Sequence, residues 1–465
     1  MGESKLKPKP KPKPRPRRCI RQLTFMIGVV LAIYCLLFVY NAPDASYGAT
    51  SWSALRKTST KLTPELLNNL SLGEDECKAA FPGLTKEIDD TVAKGPFIIK
   101  PSGELGPLQG RIADGQLYIL HAQRRNDLSQ DMLNARTAAL HQLHRAILTS
   151  PFPLPDTVFT LNTGDAPFGT ALQYSRAADP LIPSKNPNTR SFLIPHFSFW
   201  SWPLPFIGSI SSASSQITAL EASYSPNASH PNASWRNKIP RAVWRGTAWY
   251  NSVHSPRLRQ NLLQATKDKP WADVQVLNWT TTDSATGQKS AINALHISEF
   301  CRYKYIIHTE GVAYSGRFPF TQMCKSVVLT PPILWMMHTT HLVRPVYSGY
   351  LLGRDKKGWE PAKRAMRGWG TGVKKEEANM VFVEGDWSDL EETVEWLERH
   401  PDVAEGIARR QRELVVGGGY HSPAAEACYW RAAIKGWASR VRAEGEWEGL
   451  GIPFEAFSLS LDMRQ

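Results

Sequence analysis

The stretch Cys301–Leu329, CRYKYIIHTEGVAYSGRFPFTQMCKSVVL, constrains this chain more than any other. Tyr303, Tyr305, Ile306 and Ile307 form a short β-prone run that Gly311 breaks. Ser315-Gly316 then open an apolar segment headed by Arg317, and Ser326 to Leu329 make a second β-prone run. The order is strand, tight turn, helix, strand. A turn at the C-terminal end of such a strand aims backbone N–H groups and a helix N-terminus at one point. That point favours an anion, and a guanidinium beside it can grip two phosphate oxygens at once. Gly311, Val312, Ala313, Tyr314, Ser315, Gly316 and Arg317 are therefore candidates for a diphosphate site. An ordinary turn with a solvated Arg has the same spacing and is the rival reading.

The 465 residues exceed one compact core, so two domains with appendages are expected. A net charge of +13 points first to nucleic acid, but its distribution does not. Residues 1–22 alone carry +8, leaving +5 for the other 443. A modest excess over a large body suits an enzyme with an anionic substrate.

The tail (1–22) alternates Lys and Pro in KPKPKPKPRPRR and cannot pack, so it reads as disordered and cytosolic. Leu23–Tyr40 follows, uncharged and long enough to span a thin bilayer. With the positive flank N-terminal and no cleavage site after it, a single-pass type II signal-anchor is predicted, with the rest of the chain luminal in the Golgi or endoplasmic reticulum. A cleaved signal peptide is the alternative. Residues 41–76 read as a stem. Sequons lie at Asn69, Asn227, Asn232 and Asn278. Beyond the anchor the cysteines are Cys77, Cys301, Cys324 and Cys428, which allow three pairings. No C-x-x-C or clustered His accompanies them to suggest zinc.

GRIADGQLYIL (110–120) reads as a hairpin around Asp114-Gly115, followed by a helix with Met132, Ala139, Leu140, Leu143 and Ile147 on one face. LPDTVFTLNTGDAP is a strand (Thr157 to Leu161) running into a turn with Asp165 at its exit. The C-terminal edge of a strand is where α/β enzymes place catalytic groups. An Asp that bonds turn amides before Pro167 is the equally good alternative. Trp200 and Trp202 in FSFWSWP can lay a ring against a sugar on the acceptor side, although most such clusters are core. AVWRGT (Ala242 to Thr247) is a second strand-to-turn unit with Arg245 and Thr247 at its end, and Arg257 and Arg259 follow. DVQVLNW (Asp273 to Trp279) is a further strand. The basic, Gly-broken run 353–372 reads as a solvated loop, with an acceptor lid as its rival. Ser388 and Glu391 form a capping box for a helix carrying Leu390, Val394 and Leu397 on one face, and Pro423 suits a first helical turn.

The run YKYIIHTEGVAYSGRFPFTQMCKSVVL resembles the signature of glycosyltransferase family 90, of the form YKY…G…S-x-R…C-x-S-V. LPDTVFTLNTGDAP, IPHFSFWSWPLP, AVWRGT, NMVFVEGDWSDLEETVEWL and PAAEACYWR match in the family's order over roughly residues 77 to 440. The chain is similar to a fungal-type member of this family of capsule-associated xylosyltransferases and protein O-glucosyltransferases. The resemblance implies that Asp165 is the general base. It implies that Arg245, Thr247 and either Arg257 or Arg259 contact the donor with the 311–317 turn. It also implies the disulfides Cys77–Cys428 and Cys301–Cys324.

Strands alternating with helices in both halves imply an α/β chain of two Rossmann-like domains facing a cleft, the GT-B arrangement. The acceptor-side domain is placed at 77–235, the donor domain with its C-terminal helices at 236–445, and a tail at 446–465. No Asp-x-Asp triplet occurs, so no metal cofactor is expected, and Arg and helix dipoles would neutralise the leaving diphosphate. The expected reaction is inverting transfer of glucose or xylose from a UDP-sugar to a hydroxyl of a polysaccharide or glycoprotein. No nucleic-acid partner is expected. A catalytically inactive relative serving as a binding or scaffold protein is the alternative, as is a tethered polyanion binder.

Overall fold

Asp114 and Gly115, at φ 50° and 73°, turn the chain back on itself, so β1 (Leu108–Ala113) and β2 (Gln116–His121) pair antiparallel. β3 (Thr157–Asn162) adds to β1 antiparallel. β4 (Ala171–Gln173) and β5 (Ser191–Leu193) then add in parallel. This first sheet is mixed, where a Rossmann-like unit would be parallel throughout. The two-residue turn leaves no room for the crossover that parallel neighbours need. The computed structural model describes residues 62–103, 106–182, 189–224, 234–280, 289–447, 449 and 451–459.

The second sheet comprises β6 (Ile239–Gly246), β7 (Ala272–Val276), β8 (Tyr303–Ile307), β9 (Val327–Thr330), β10 (Pro345–Tyr347) and β11 (Met380–Phe382). Its order is β10-β11-β9-β8-β6-β7, with every pairing parallel. β8, β9 and β11 are buried along their whole length, as strands covered on both faces must be. Trp244, Tyr305, Ile307, Val327, Leu329 and Val381 pack there against Leu390, Val394 and Leu397. β12 (Ile452–Pro453) returns to the first sheet and pairs with β2.

Four helices matter for the site. α1 (Gln130–Leu148) buries Ala139, Leu140, Leu143 and Ile147 as the periodicity predicts, while Met132 stays exposed. α2 (Leu258–Ala265) follows β6. α3 (Lys363–Trp369) lies in the run read as a solvated loop. It remains largely solvent-facing, with Ala365 buried, but it is anchored: Arg367 pairs with the buried Asp179 at 2.5 Å, and Trp369 Nε1 donates to the Ile333 carbonyl. α4 (Pro423–Ala438), capped by Ser422 with Pro423 in its first turn, packs on α1 rather than on the second sheet. Cys77–Cys428 ties it to the short helix Glu74–Ala80. The stretch expected to be a tail also contributes, since Phe454 is buried beside His141 and His144.

The helix at Leu390–Arg399 buries the predicted face, but Asp389 takes the cap position. Glu391 instead accepts from Trp271 Nε1 and pairs with Lys269. The described residues belong to one unit, Leu55–Gln465. The tail, the segment Leu23–Tyr40, most of the stem, Asn227 and Asn232 lie outside the described residues. Among the described residues no helix is long and apolar enough to cross a membrane.

Candidate active site

In each sheet the parallel strands end along one edge, and loops leaving that edge are where α/β proteins gather functional groups. From the first sheet, β3 leads to Asp165, β4 to Tyr174 and β5 to His196. From the second, β6 leads to Thr247, β7 to Leu277 and Trp279, and β8 to Gly311. Asp165, His196, Trp202, Thr247, Arg259, Gly311, Val312, Tyr314, Ser315, Gly316 and Arg317 line one cleft of about 960 Å³, counting the part open to solvent. Residues 150 positions apart in sequence thus share one wall.

Asp165 is the feature with least structural explanation. The turn after β3 is closed by Asn162, whose Oδ1 accepts from Gly164 N at 3.0 Å and whose Nδ2 donates to the Ala166 carbonyl at 3.0 Å. The capping task that would make Asp165 an ordinary turn residue is already taken. Its carboxylate accepts no hydrogen bond among the described residues. Asp165 is itself exposed; partial desolvation by the surrounding protein, and after it the Asp131 charge, raise its pKa above the usual carboxylate value. A carboxylate so placed is a stronger base than a solvated one.

The turn 311–317 lines the same cleft. Gly311 N is consumed within the turn, bonding Ala313 and Tyr314 carbonyls at 3.1 Å. The amides of Ser315, Gly316 and Arg317 have no acceptor among the described residues. The helix after them is a single turn, Phe318–Thr321, so its dipole is slight and the expected helix N-terminus contributes little. Positive charge comes from two guanidinium groups. Arg317 donates Nη1 to the Arg245 carbonyl, and burial draws it down to about 10. Arg259 is buried, donating to the carbonyls of Glu310 (3.1 Å) and Thr247 (2.7 Å). Burial and the Arg317 charge draw it down to about 9. Both remain cationic at neutral pH.

Arg257 is exposed at the start of α2 and does not line the cleft, so of the two candidates Arg259 is the one beside the turn. Arg245 reaches the cleft, but its guanidinium is engaged elsewhere. It pairs with Asp273 at 2.9 Å and donates to the Trp244, Asp273 and Asn293 carbonyls. Thr247 Oγ1 accepts from Trp279 Nε1 at 3.2 Å, fixing that indole at the cleft's apolar end with Phe206 and Leu277. Ala313 is fully buried behind the turn. Glu310, the nearest acidic group in sequence, accepts from Leu334 N and Trp335 N. Burial pushes its pKa up to about 8.

The two tryptophans separate. Trp202 lines the cleft over the 311–317 turn. Trp200 does not; it stacks on His141 at 5.0 Å with the Arg145 guanidinium 4.9 Å from its ring. His196 and Tyr250 line the cleft and were not singled out from sequence. His196 lay inside a quoted motif, and only its packing against a residue 120 positions away reveals it. Cys301–Cys324 staples the ends of the β8–turn–β9 unit. Among the described residues, Glu221 with those two sulfurs forms a group close enough for a metal. The sulfurs are joined to each other, however, and Glu221 pairs with Lys238 at 2.7 Å. Asn69 and Asn278 are both exposed.

Comparison with known proteins finds one family. The family model for glycosyl transferase family 90 matches residues 109–349, over half of the chain, from β1 to β10. Protein O-glucosyltransferase 1 of Rattus norvegicus is 23% identical over 292 residues, covering 60% of this chain and 61% of the relative. Protein O-glucosyltransferase 3 of Homo sapiens is 21% identical over 306 residues, covering 64% and 50%. The O-glucosyltransferase rumi homolog of Aedes aegypti is 24% identical over 216 residues, covering 45% and 44%. The matches therefore span 44% to 61% of these relatives' own length. The matched region holds Asp165, Arg259 and the 311–317 turn, and the chain belongs to glycosyl transferase family 90.

Proposed function

We propose that this chain transfers glucose or xylose from a UDP-sugar to a hydroxyl of a glycoprotein or polysaccharide, with inversion at the anomeric carbon. The observation that carries this reading is that the Asp165 carboxylate, with no hydrogen-bond partner among the described residues, lines the same cleft as the Arg259 and Arg317 guanidinium groups. Asp165 takes the proton of the acceptor hydroxyl as its oxygen attacks the anomeric carbon. The bond from that carbon to the diphosphate oxygen breaks, and UDP leaves with the electron pair. Arg317 and Arg259, with the open amides of 315–317, oppose the charge that develops. Two cations at the diphosphate let the reading proceed without a metal. The end formed by Phe206, Leu277 and Trp279 suits a flat base. Two sheets presenting their carboxyl edges to one cleft support a GT-B arrangement. Two disulfides support an oxidising lumen, in keeping with a type II membrane protein of the Golgi or endoplasmic reticulum.

The test is a hydrolysis and transfer screen of the purified protein across UDP-sugars, with and without chelator. Turnover of UDP-glucose or UDP-xylose that survives chelation is expected. Failure to bind or turn over any nucleotide sugar would favour the inactive, scaffold reading.

A further inference from the structure

We infer that the His196 imidazole holds the sugar of the donor, its Nε2–H donating a hydrogen bond to a sugar hydroxyl between Asp165 and the Ser315–Arg317 turn. The inference rests on the nucleotide-sugar reading of the cleft. Its first support is the tautomer. His196 Nδ1 accepts from the backbone N–H of Ser198 at 3.3 Å and lies 2.8 Å from Ser198 Oγ. A backbone amide can only donate, so Nδ1 carries a lone pair and the proton sits on Nε2. Burial holds the ring's pKa down to about 3, so it stays neutral throughout the physiological range.

The second support is position. His196 lines the same cleft as Asp165 and Arg317, and Nε2 has no protein partner among the described residues. A Cβ built on Gly316 would fall 2.6 Å from Nε2, so this edge of the ring lies against the turn assigned to the diphosphate. Trp202 stands 5.3 Å away and Tyr314 meets the ring edge-on at 5.5 Å. Aromatic walls with one polar N–H match a sugar's C–H surface and a single hydroxyl. What sets His196 apart from an ordinary capping residue is its place in the cleft. His296 makes the same Nδ1 contact to Ser298, yet is not part of the cleft lining.

The side-chain amides of Asn and Gln separate the two tasks. His196→Asn places an oxygen near Nδ1 and keeps the cap but cannot reach the Nε2 position. His196→Gln places an amide nitrogen near Nε2. The probes are UDP, UDP-glucose and UDP-xylose, by calorimetric titration and by donor kcat/KM. For the better of the two sugars, His196→Asn should lower affinity and kcat/KM by roughly tenfold while UDP affinity stays within about twofold. His196→Gln should recover most of the loss. Equal behaviour of Asn and Gln overturns the inference, as does a fall in UDP affinity matching that of UDP-sugar. A wild-type protein that binds none of the three probes would overturn the donor reading itself, and this inference with it.

Discussion

His196 and Gly316 touch across the cleft so closely that a methyl group on Gly316 would lie 2.6 Å from His196 Cε1 and Nε2, and 2.9 Å from Trp202 Cζ3. The two residues belong to loops leaving different sheets, so the glycine sets how near those sheets' edges come. Gly316→Ala must displace the buried His196 ring and the half-buried Trp202 ring rather than the end of a flexible chain. A loss of stability of about 1–3 kcal/mol is expected, with UDP affinity lowered as the turn moves. Thermal melting and UDP titration together check this. An unchanged melting temperature would mean the rings yield freely.

Asp165→Asn should leave the fold intact, because Asn162 already closes the turn. Transfer should fall by roughly a hundredfold to ten-thousandfold, the usual contribution of a general base. UDP affinity should hardly change. Near-normal turnover would place the base elsewhere. Glu310 would be a poor replacement, since its carboxylate already accepts two backbone amides.

The arginines make a graded set. Arg257→Ala should leave UDP affinity unchanged, because the side chain is exposed outside the cleft. Arg317→Ala should lower it about tenfold or more, from a charge-assisted bond of roughly 1.5–3 kcal/mol. Arg317→Lys should lose less, keeping the cation but not the two-pronged grip. Arg259→Ala should also lower the melting temperature, since Arg259 ties the Thr247 and Glu310 carbonyls together. Calorimetric titration of UDP into each folded variant reads the order. Equal affinity of wild type and Arg317→Ala would restore the reading of an ordinary turn.

Stability should peak near neutrality. Burial draws His196, His308 and His421 down to about 3, and His338 is also well below its usual value. Burial pushes Glu310 and Glu426 up to about 8. As pH falls from about 8 the folded state takes up the two glutamate protons first, which stabilises it. Below about 6.5 the unfolded state takes up four histidine protons that the folded state refuses, and stability falls. Below about 4.5 the glutamates cease to offset that loss and the decline steepens. Melting curves from pH 8 to 4 check the shape. His421→Phe should flatten the acid limb, and an unaltered limb would remove His421 from the account.

The local features were legible because short-range chemistry writes them. Asp114-Gly115 dictates its hairpin through positive φ, and the alternation of helix and strand signals announces an α/β chain. Arg259 rather than Arg257 reaches the cleft because Arg257 is the exposed residue before the first turn of α2, whereas Arg259 lies within that turn, and only the docking of α2 sets which of its faces is buried. The run 353–372 reads as a basic loop until Asp179 is brought beside Arg367. α4 reads as the end of the donor half and β12 as part of a tail, yet α4 packs on α1 and β12 pairs with the first sheet, since the chain's return path depends on which apolar face is left uncovered.

The sequence by itself determined the residues able to do chemistry: Asp165 at a strand exit, and a Gly-bounded turn headed by Arg317. The tertiary structure decided which of them meet. Asn162 relieves Asp165 of the turn, Asp273 and backbone carbonyls engage Arg245, and Trp200 packs on α1. His196 acquires its place only when Gly316 closes on it from the other sheet. Local propensity fixes the type of each element, whereas contacts between residues far apart in the chain depend on how whole faces pack, which no short window of residues encodes.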